Sequence, residues 1–133
     1  MKVFVYGSLM KDYENHCVME EAKGKFISKA ITSNKQFKLL SINDYYPTID
    51  KGNYKIQGEI YEVDENGLNE LDSLERYPQL YDRKEFLFDT DNGQIKALIY
   101  IMTNDYKNRY KNHFKTSSKR IFTFGDYQQW MLN

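Results

Sequence analysis

Several features that mark whole classes of protein are scarce in this sequence. It has one cysteine, so an internal disulfide is excluded and a reducing compartment is expected. Its two histidines, with no carboxylates clustered at ligand spacing, predict that there is no zinc or iron site. Nineteen basic and nineteen acidic side chains cancel, so no global charge favours nucleic acid or an acidic membrane as a partner.

Long apolar runs and phosphate-binding glycine loops are also missing. No stretch approaches the roughly 20 apolar residues of a membrane helix. The opening MKVFVYGSLM has too short an apolar run for a signal peptide and no small-residue cleavage site. A chain of 133 residues is most economically one domain, so the sequence predicts a single cytoplasmic domain spanning residues 1–133, without a membrane partner.

Aromatic residues, by contrast, are abundant. They make up 16% of the chain and include twelve tyrosines, whose phenol groups can line a polar cavity. Pro47 predicts a loop over residues 44–47 because proline cannot donate to a β-ladder, and Asn92-Gly93 is a strong hairpin turn signal. Alternation and apolar runs predict strands over residues 2–6, 25–34, 36–42, 54–63, 83–88 and 94–102. With one or two short helices, this pattern is typical of an α+β fold with a largely antiparallel, barrel-like sheet.

The most informative stretch runs from Leu68 to Arg83. Leu68, Leu71 and Leu74 recur at helical spacing, and Asp64 precedes them as a candidate N-cap. Glu75 falls on the same apolar stripe and in the last turn, since Pro78 disfavours a helical conformation at Tyr77. Burial and the negative end of the helix dipole should both raise the pKa of this carboxyl group.

Two interpretations of Glu75 remain open at this point. It can be a catalytic acid/base, or it can be a structural carboxylate paired with Arg76, Arg83 or a tyrosine hydroxyl. Glu59 is a competing carboxylate, which strand parity places opposite Ile56 and Ile60, towards solvent or a cavity rim.

Tyr6-Gly7-Ser8-Leu9 ends the first predicted strand. Successive backbone N–H groups at such a turn can bind an anion, and glycine allows a ligand to approach closely. The alternative is an ordinary turn with Ser8 as a cap. Cys17 follows His16 directly, and adjacent residues on a helix do not face one another, so Cys17 is interpreted as a small buried hydrophobe.

Residues 103–120 carry six basic side chains and one acidic side chain. Tyr106, Tyr110 and Phe114 are spaced four apart among them, which suits either stacking on single-stranded nucleic acid or an amphipathic helix whose aromatic edge contacts the protein. In the terminal residues 125–132, Tyr127, Trp130 and Met131 form a candidate docking stripe.

The order of these motifs resembles that of the gamma-glutamyl cyclotransferase-like family, in the branch that contains gamma-glutamylamine cyclotransferase. The resemblance runs from Lys2 to about Met102 and resumes at Gly125-Asp126, so residues 103–120 look like a basic insertion. The motifs that carry it are Val3-Phe4-Val5-Tyr6-Gly7-Ser8-Leu9, Asn15-His16, Tyr46-Pro47, Gly58-Glu59-Ile60-Tyr61, Leu71-Asp72-Ser73-Leu74-Glu75-Arg76-Tyr77-Pro78 and Tyr81-Asp82-Arg83.

This resemblance implies a small mixed, largely antiparallel β-barrel with short flanking helices and a cavity at its mouth. It implies that Glu75 is the acid/base catalyst in cyclisation of a γ-glutamyl amine or γ-glutamyl amino acid to 5-oxoproline, without a metal or another cofactor. The substrate-binding residues implied are Tyr6, Gly7, Ser8, Leu9, Tyr81 and Tyr100, whereas Arg83 is as readily structural. The alternative is a non-catalytic module that binds a small acidic metabolite in its cavity or RNA through its basic tail.

Overall fold

The computed structural model describes residues 1–6, 16–42, 46–110, 114–116 and 131–132. The strands in these ranges are β1 (Lys2–Val5), β2 (Lys25–Thr32), β3 (Phe37–Ile42), β4 (Tyr46–Lys51), β5 (Lys55–Glu62), β6 (Tyr81–Thr90), β7 (Gly93–Met102), β8 (Phe114–Thr116) and β9 (Met131–Leu132). The helices are α1 (His16–Glu21), α2 (Glu65–Leu74) and α3 (Asn104–Tyr110).

A closed barrel forms the centre of the fold. Its strands follow the order β1-β7-β6-β2-β5, and β5 pairs with β1 to close the ring. The β1–β7 pair is parallel and the other barrel pairs are antiparallel, while β9 adds to β5. The predicted mixed, largely antiparallel barrel with short helices is therefore confirmed.

Strand β1 is buried because β5 and β7 flank it on both sides. Val3, Phe4 and Val5 are each at most 3% exposed. The Phe4 ring stacks on Phe88 with 4.4 Å between ring centroids, which ties β1 to β6 across the core. The buried strand delivers the following residue, Tyr6, to one end of the barrel.

A second, smaller sheet contains β4, β3 and β8 in that order. The predicted loop at residues 44–47 is wrong at its end, because Tyr46 and Pro47 begin β4 and Pro47 pairs with Ser41 of β3. Within the described residues β4 pairs with β3 alone. An edge strand tolerates a proline because no ladder hydrogen bond is needed on its open side.

The predicted hairpin is confirmed and is longer than expected. Strands β6 and β7 pair from Tyr81↔Met102 to Thr90↔Gly93, with Gly93 at φ +101° beyond the turn. The side chains of His16 and Cys17, and the terminal residues Tyr127 and Trp130, lie outside the described part of the chain. None of the described helices has the length and apolarity needed to cross a membrane.

Gly58 provides a test of how tightly the barrel closes. A Cβ at this position would lie 2.3 Å from the Val5 carbonyl oxygen and 2.6 Å from the Phe4 ring. Because β1 is held on both edges, Gly58→Ala should reduce the free energy of unfolding by about 1–3 kcal/mol. Urea denaturation measures this, with Lys29→Ala on an exposed position of β2 as a control that should change it by no more than about 0.5 kcal/mol. Equal stability of both variants would show that the β1–β5 contact is loose.

Candidate active site

Helix α2 begins where the sequence predicted. Asp64 is its N-cap, and its Oδ1 accepts a hydrogen bond from the Gly67 backbone N–H at 2.8 Å. Leu68 and Leu71 are buried in the core, but Leu74 is 48% exposed, so the expected leucine stripe includes only its first two members. Leu74 therefore lies on the solvent side of α2, whereas Glu75, the next residue, is partly buried.

The C-terminal end of α2 is closed by two backbone hydrogen bonds. The Tyr77 N–H donates to the Asp72 carbonyl at 2.9 Å, and the Arg76 N–H donates to the Ser73 carbonyl at 3.3 Å. Arg76 adopts φ +51° between them, and this combination is the Schellman motif. Glu75 is the C-cap rather than a residue of the last turn, so its backbone position is fixed by the motif on both sides.

The carboxyl group of Glu75 lies among tyrosines. Desolvation by burial raises its pKa from 4.5 to about 7. Beside burial, the charge of Glu75 contributes to raising the pKa of Tyr6, Tyr81 and Tyr100. Tyr6 follows β1, Tyr81 begins β6 and Tyr100 lies in β7. The barrel and α2 thus bring together the predicted catalytic residue and three of the predicted substrate-binding residues.

The two arginines proposed as ion-pair partners do not neutralise Glu75. Arg83 Nε donates to Asp72 Oδ1 at 2.9 Å, and its guanidinium lies 4.3 Å from the centre of the Tyr77 ring. Arg76 is exposed. Within the described ranges of the chain, no side chain forms a hydrogen bond or salt bridge with the Glu75 carboxylate.

Tyr6 and Tyr81 meet at Thr48 on β4. The Thr48 and Tyr81 hydroxyls are hydrogen-bonded at 2.5 Å, and the Tyr6 hydroxyl accepts the Ile49 backbone N–H at 3.1 Å. Burial is the main reason that the pKa of each phenol is raised above its ordinary value. Both phenols therefore keep their protons at neutral pH and can act as hydrogen-bond donors.

Tyr100 of β7 ties the barrel to α2 within the same group. It is buried, and its hydroxyl donates to Asp72 Oδ1 at 2.7 Å, the same oxygen that accepts from Arg83. Sequence reasoning did not single out Asp72. The available signal was a carboxylate three residues before Glu75, on the same helix face. Its hydrogen bonds to Arg83 and Tyr100 could not be predicted, because β6 and β7 bring these residues to Asp72 only in the fold.

The beginning of the basic stretch packs beside this group. Tyr106 of α3 makes an edge-to-face contact with Tyr81 at 5.5 Å between ring centroids. Lys107 Nζ donates to Asp50 Oδ1 of β4 at 2.8 Å, and the Thr103 hydroxyl donates to the Gln79 carbonyl at 2.9 Å. Of the predicted aromatic edge, Tyr106 of α3 is confirmed to pack against the protein, and the Tyr110 side chain lies outside the described part of the chain. Residues 114–116 form β8 instead of extending the helix.

The remaining predicted residues divide into two groups. Glu59 is buried and accepts a hydrogen bond from the Tyr61 hydroxyl at 3.0 Å, so it does not face open solvent. Gly7, Ser8 and Leu9 lie outside the described residues, and their predicted role stays a prediction. In the described part of the chain, no three His, Cys, Asp or Glu side chains form a group that could hold a metal ion.

The raised pKa of Glu75 makes stability depend on pH. Below about pH 4.5 the group is protonated in folded and unfolded chains alike, so its favourable contribution is fully present; it is lost as pH rises through 7, where the folded state must hold a desolvated charge. Glu75→Gln removes this charge. Its melting temperature should match that of the parent near pH 4 and exceed it at pH 8, whereas a difference that does not vary with pH would contradict the desolvation of Glu75.

Comparison with known proteins agrees with this architecture. The family described as "Gamma-glutamyl cyclotransferase, AIG2-like" matches residues 3–129. A protein of Methanocaldococcus jannaschii named as a candidate gamma-glutamylcyclotransferase is 40% identical over 99 residues, which cover 74% of this chain and 81% of that one. The zebrafish (Danio rerio) gamma-glutamylaminecyclotransferase A is 33% identical over 89 residues, covering 62% and 55% of the two chains.

A solved structure also superposes on the fold. The crystal structure of an AIG2-like protein from mouse (Mus musculus) matches with a TM-score of 0.70 and 25% identity, over 95% of this chain and 86% of that one. The chain therefore belongs to the gamma-glutamyl cyclotransferase, AIG2-like family of cyclotransferase enzymes.

Proposed function

We propose that this protein converts a γ-glutamyl amine or γ-glutamyl amino acid to 5-oxoproline and the free amine, with Glu75 as the acid/base. The observation that carries the proposal is a desolvated carboxyl group with a pKa of about 7, surrounded by Tyr6, Tyr81 and Tyr100 and left without a cationic partner among the described residues. A general acid/base works best when its pKa lies near the working pH. The zebrafish relative's name supports a γ-glutamylamine substrate.

The proposed reaction is an internal amide exchange, and its atoms balance without a cofactor. The substrate's α-amine attacks its own γ-carbonyl carbon, a C–N bond forms, and the bond to the leaving nitrogen breaks. The α-ammonium loses two protons to become the lactam N–H, and the leaving nitrogen gains two to depart as an ammonium ion. Glu75 carries these protons in turn from the attacking nitrogen to the leaving nitrogen.

The surrounding phenols support the charge that develops during this exchange. Tyr6 and Tyr81 stay protonated at neutral pH, so they can donate to the oxyanion of the tetrahedral intermediate or to the substrate's α-carboxylate. Residues 7–9 directly follow Tyr6, and we propose that their backbone N–H groups share this task. Folding the glutamyl chain so that amine and carbonyl meet lowers the barrier further, because oriented intramolecular reactions reach effective molarities of about 10⁵ M or more.

We further propose that residues 1–133 act as one domain in the cytoplasm, with residues 103–120 as an insertion that serves the site. The single cysteine supports a reducing compartment. The contact between Tyr106 and Tyr81 supports a role for α3 beside the substrate. The Lys107–Asp50 ion pair shows that one basic side chain of this stretch binds a carboxylate of β4.

The catalytic role of Glu75 can be tested by turnover. Glutamine keeps the size of the side chain but cannot accept a proton, so Glu75→Gln should lower kcat by about 10²–10⁴-fold while 5-oxoproline still binds. The assay is 5-oxoproline release from a panel of γ-glutamyl amines and dipeptides. In the parent, kcat/KM should fall as pH drops below about 7, because the base becomes protonated.

Two control variants sharpen this test. Glu70→Gln removes an equal charge from an exposed position on α2 and should leave turnover at the parental rate. Glu59→Gln tests the competing carboxylate and should lose much less activity than Glu75→Gln. Parental turnover of Glu75→Gln would end the catalytic claim, and a folded parent that releases no 5-oxoproline from any substrate would favour the metabolite-binding module.

Tyr106 tests the role of the insertion. Tyr106→Ala removes a ring that contacts Tyr81, so the ratio of kcat/KM values between bulky and small leaving groups should change by about tenfold or more. Tyr106→Phe keeps the ring and should retain the parental ratio. Arg109→Ala, at an exposed position of α3, serves as a charge control. If Arg109→Ala abolished a measurable, salt-sensitive RNA affinity, the insertion would instead serve nucleic acid.

A further inference from the structure

Two carboxylates lie one helical turn apart at the end of α2, and their surroundings differ sharply. Asp72 and Glu75 are three residues apart, which places side chains on neighbouring positions of one helix face. Asp72 Oδ1 accepts hydrogen bonds from both Arg83 Nε, at 2.9 Å, and the Tyr100 hydroxyl, at 2.7 Å. Glu75 has neither kind of partner within the described ranges.

The strands place Arg83 beside Asp72 and beside the tyrosines that feel the charge of Glu75. Tyr81 and Arg83 are alternate residues of β6 and point to the same face, and Tyr81 feels the charge of Glu75. Arg83 lies directly opposite Tyr100 on β7. Tyr100 in turn feels the charges of Asp72, Glu75 and Arg83 together. In this arrangement Arg83 is not among the groups that shift the pKa of Glu75. Glu75 is nevertheless the next carboxylate along α2 from Asp72, and a long guanidinium side chain released from Asp72 would meet it there.

We propose that Asp72 is a positioning residue, which holds the Arg83 guanidinium and the Tyr100 hydroxyl one helical turn away from the Glu75 carboxylate. The proposal rests on the acid/base function proposed above for Glu75. A carboxylate bound to an arginine keeps its charge and is a poor proton carrier, since an opposite charge nearby stabilises the ionised form. By occupying Arg83, Asp72 leaves Glu75 able to exchange a proton near neutral pH.

Among the residues that the structure describes, the other charged and titratable groups around Glu75 do not provide this effect. Arg76 is next to Glu75 in the chain, but it is exposed. Tyr6, Tyr81 and Tyr100 are neutral phenols at pH 7, because burial raises the pKa of each. Further out, Tyr106 lies against Tyr81, and the Lys107 ammonium is paired with Asp50. The Tyr77 ring lies against the Arg83 guanidinium, so Arg83 is held by a carboxylate and an aromatic ring together.

The test is a direct titration of Glu75 that needs no turnover. Side-chain carboxyl carbons are labelled with ¹³C, and the Glu75 signal is assigned by its loss in Glu75→Gln. Asp72→Asn should lower the pKa of Glu75 by about one pH unit or more, because Arg83 turns to Glu75. The double variant Asp72→Asn/Arg83→Gln should return it to the parental value or above.

Controls separate the alternatives. Asp72→Glu keeps the ion pair and should keep the parental pKa, and Glu70→Gln removes a surface charge from the same helix without effect. An unchanged pKa of Glu75 in Asp72→Asn would overturn the proposal. An equal fall in this pKa in the single and double variants would also overturn it, because the fall would then come only from the loss of a neighbouring negative charge. If Asp72→Asn does not fold, Asp72→Ser removes the same charge with a smaller polar side chain and the same shift is expected.

Activity adds an independent reading of the same variants. If the protein turns over γ-glutamyl substrates, the fall of kcat/KM at low pH should move to lower pH in Asp72→Asn by the same interval as the titration. If the titration shifts as expected in a protein that releases no 5-oxoproline, the positioning role of Asp72 stands and the proposed reaction fails. If turnover is present but the titration does not move, the reaction stands and this inference fails.

Discussion

The end of α2 is the constraint on which the site depends. Two backbone hydrogen bonds close the helix around Arg76 and fix the backbone positions of the residues on both sides. Asp72 binds the Arg83 guanidinium, and the Tyr77 ring lies against it. Glu75 stays unpaired among the described residues. An L-residue at φ +51° is unfavourable by about 1–2 kcal/mol, so the surrounding contacts must hold it there. Buried Leu71 and Leu68 provide that anchorage about one and two turns earlier.

Around this helix end the protein gathers groups that all prefer to be neutral. Burial raises the pKa of one carboxyl group to about 7 and keeps three phenols protonated. The site can therefore change by one negative charge near neutral pH without any other described group around it changing state. Such an arrangement suits proton transfer, because the charge that moves is not compensated or trapped by a fixed cation.

The sequence predicts those parts of the structure that depend on neighbours along the chain. Asp64, the start of α2, Glu75 and the β6–β7 hairpin follow from local spacing, caps and turn chemistry. Strand β4 was missed because Pro47 argues against a strand wherever its edge position is unknown. Asp72 was missed because its partners lie 11 and 28 residues further on, and only the pairing of β6 with β7 brings them together.

Strand β4 has a consequence for how copies of the protein meet one another. The five barrel strands are each paired on both sides, so their hydrogen-bonding groups are largely taken. Among the described strands, β4 and the three-residue β8 are the two outer members of the smaller sheet, and β4 is the longer of them. Unpaired outer strands are the usual starting points for intermolecular β-pairing. Pro47 has no N–H group to donate at that edge. A second copy of the protein therefore could not form an unbroken ladder of hydrogen bonds with β4.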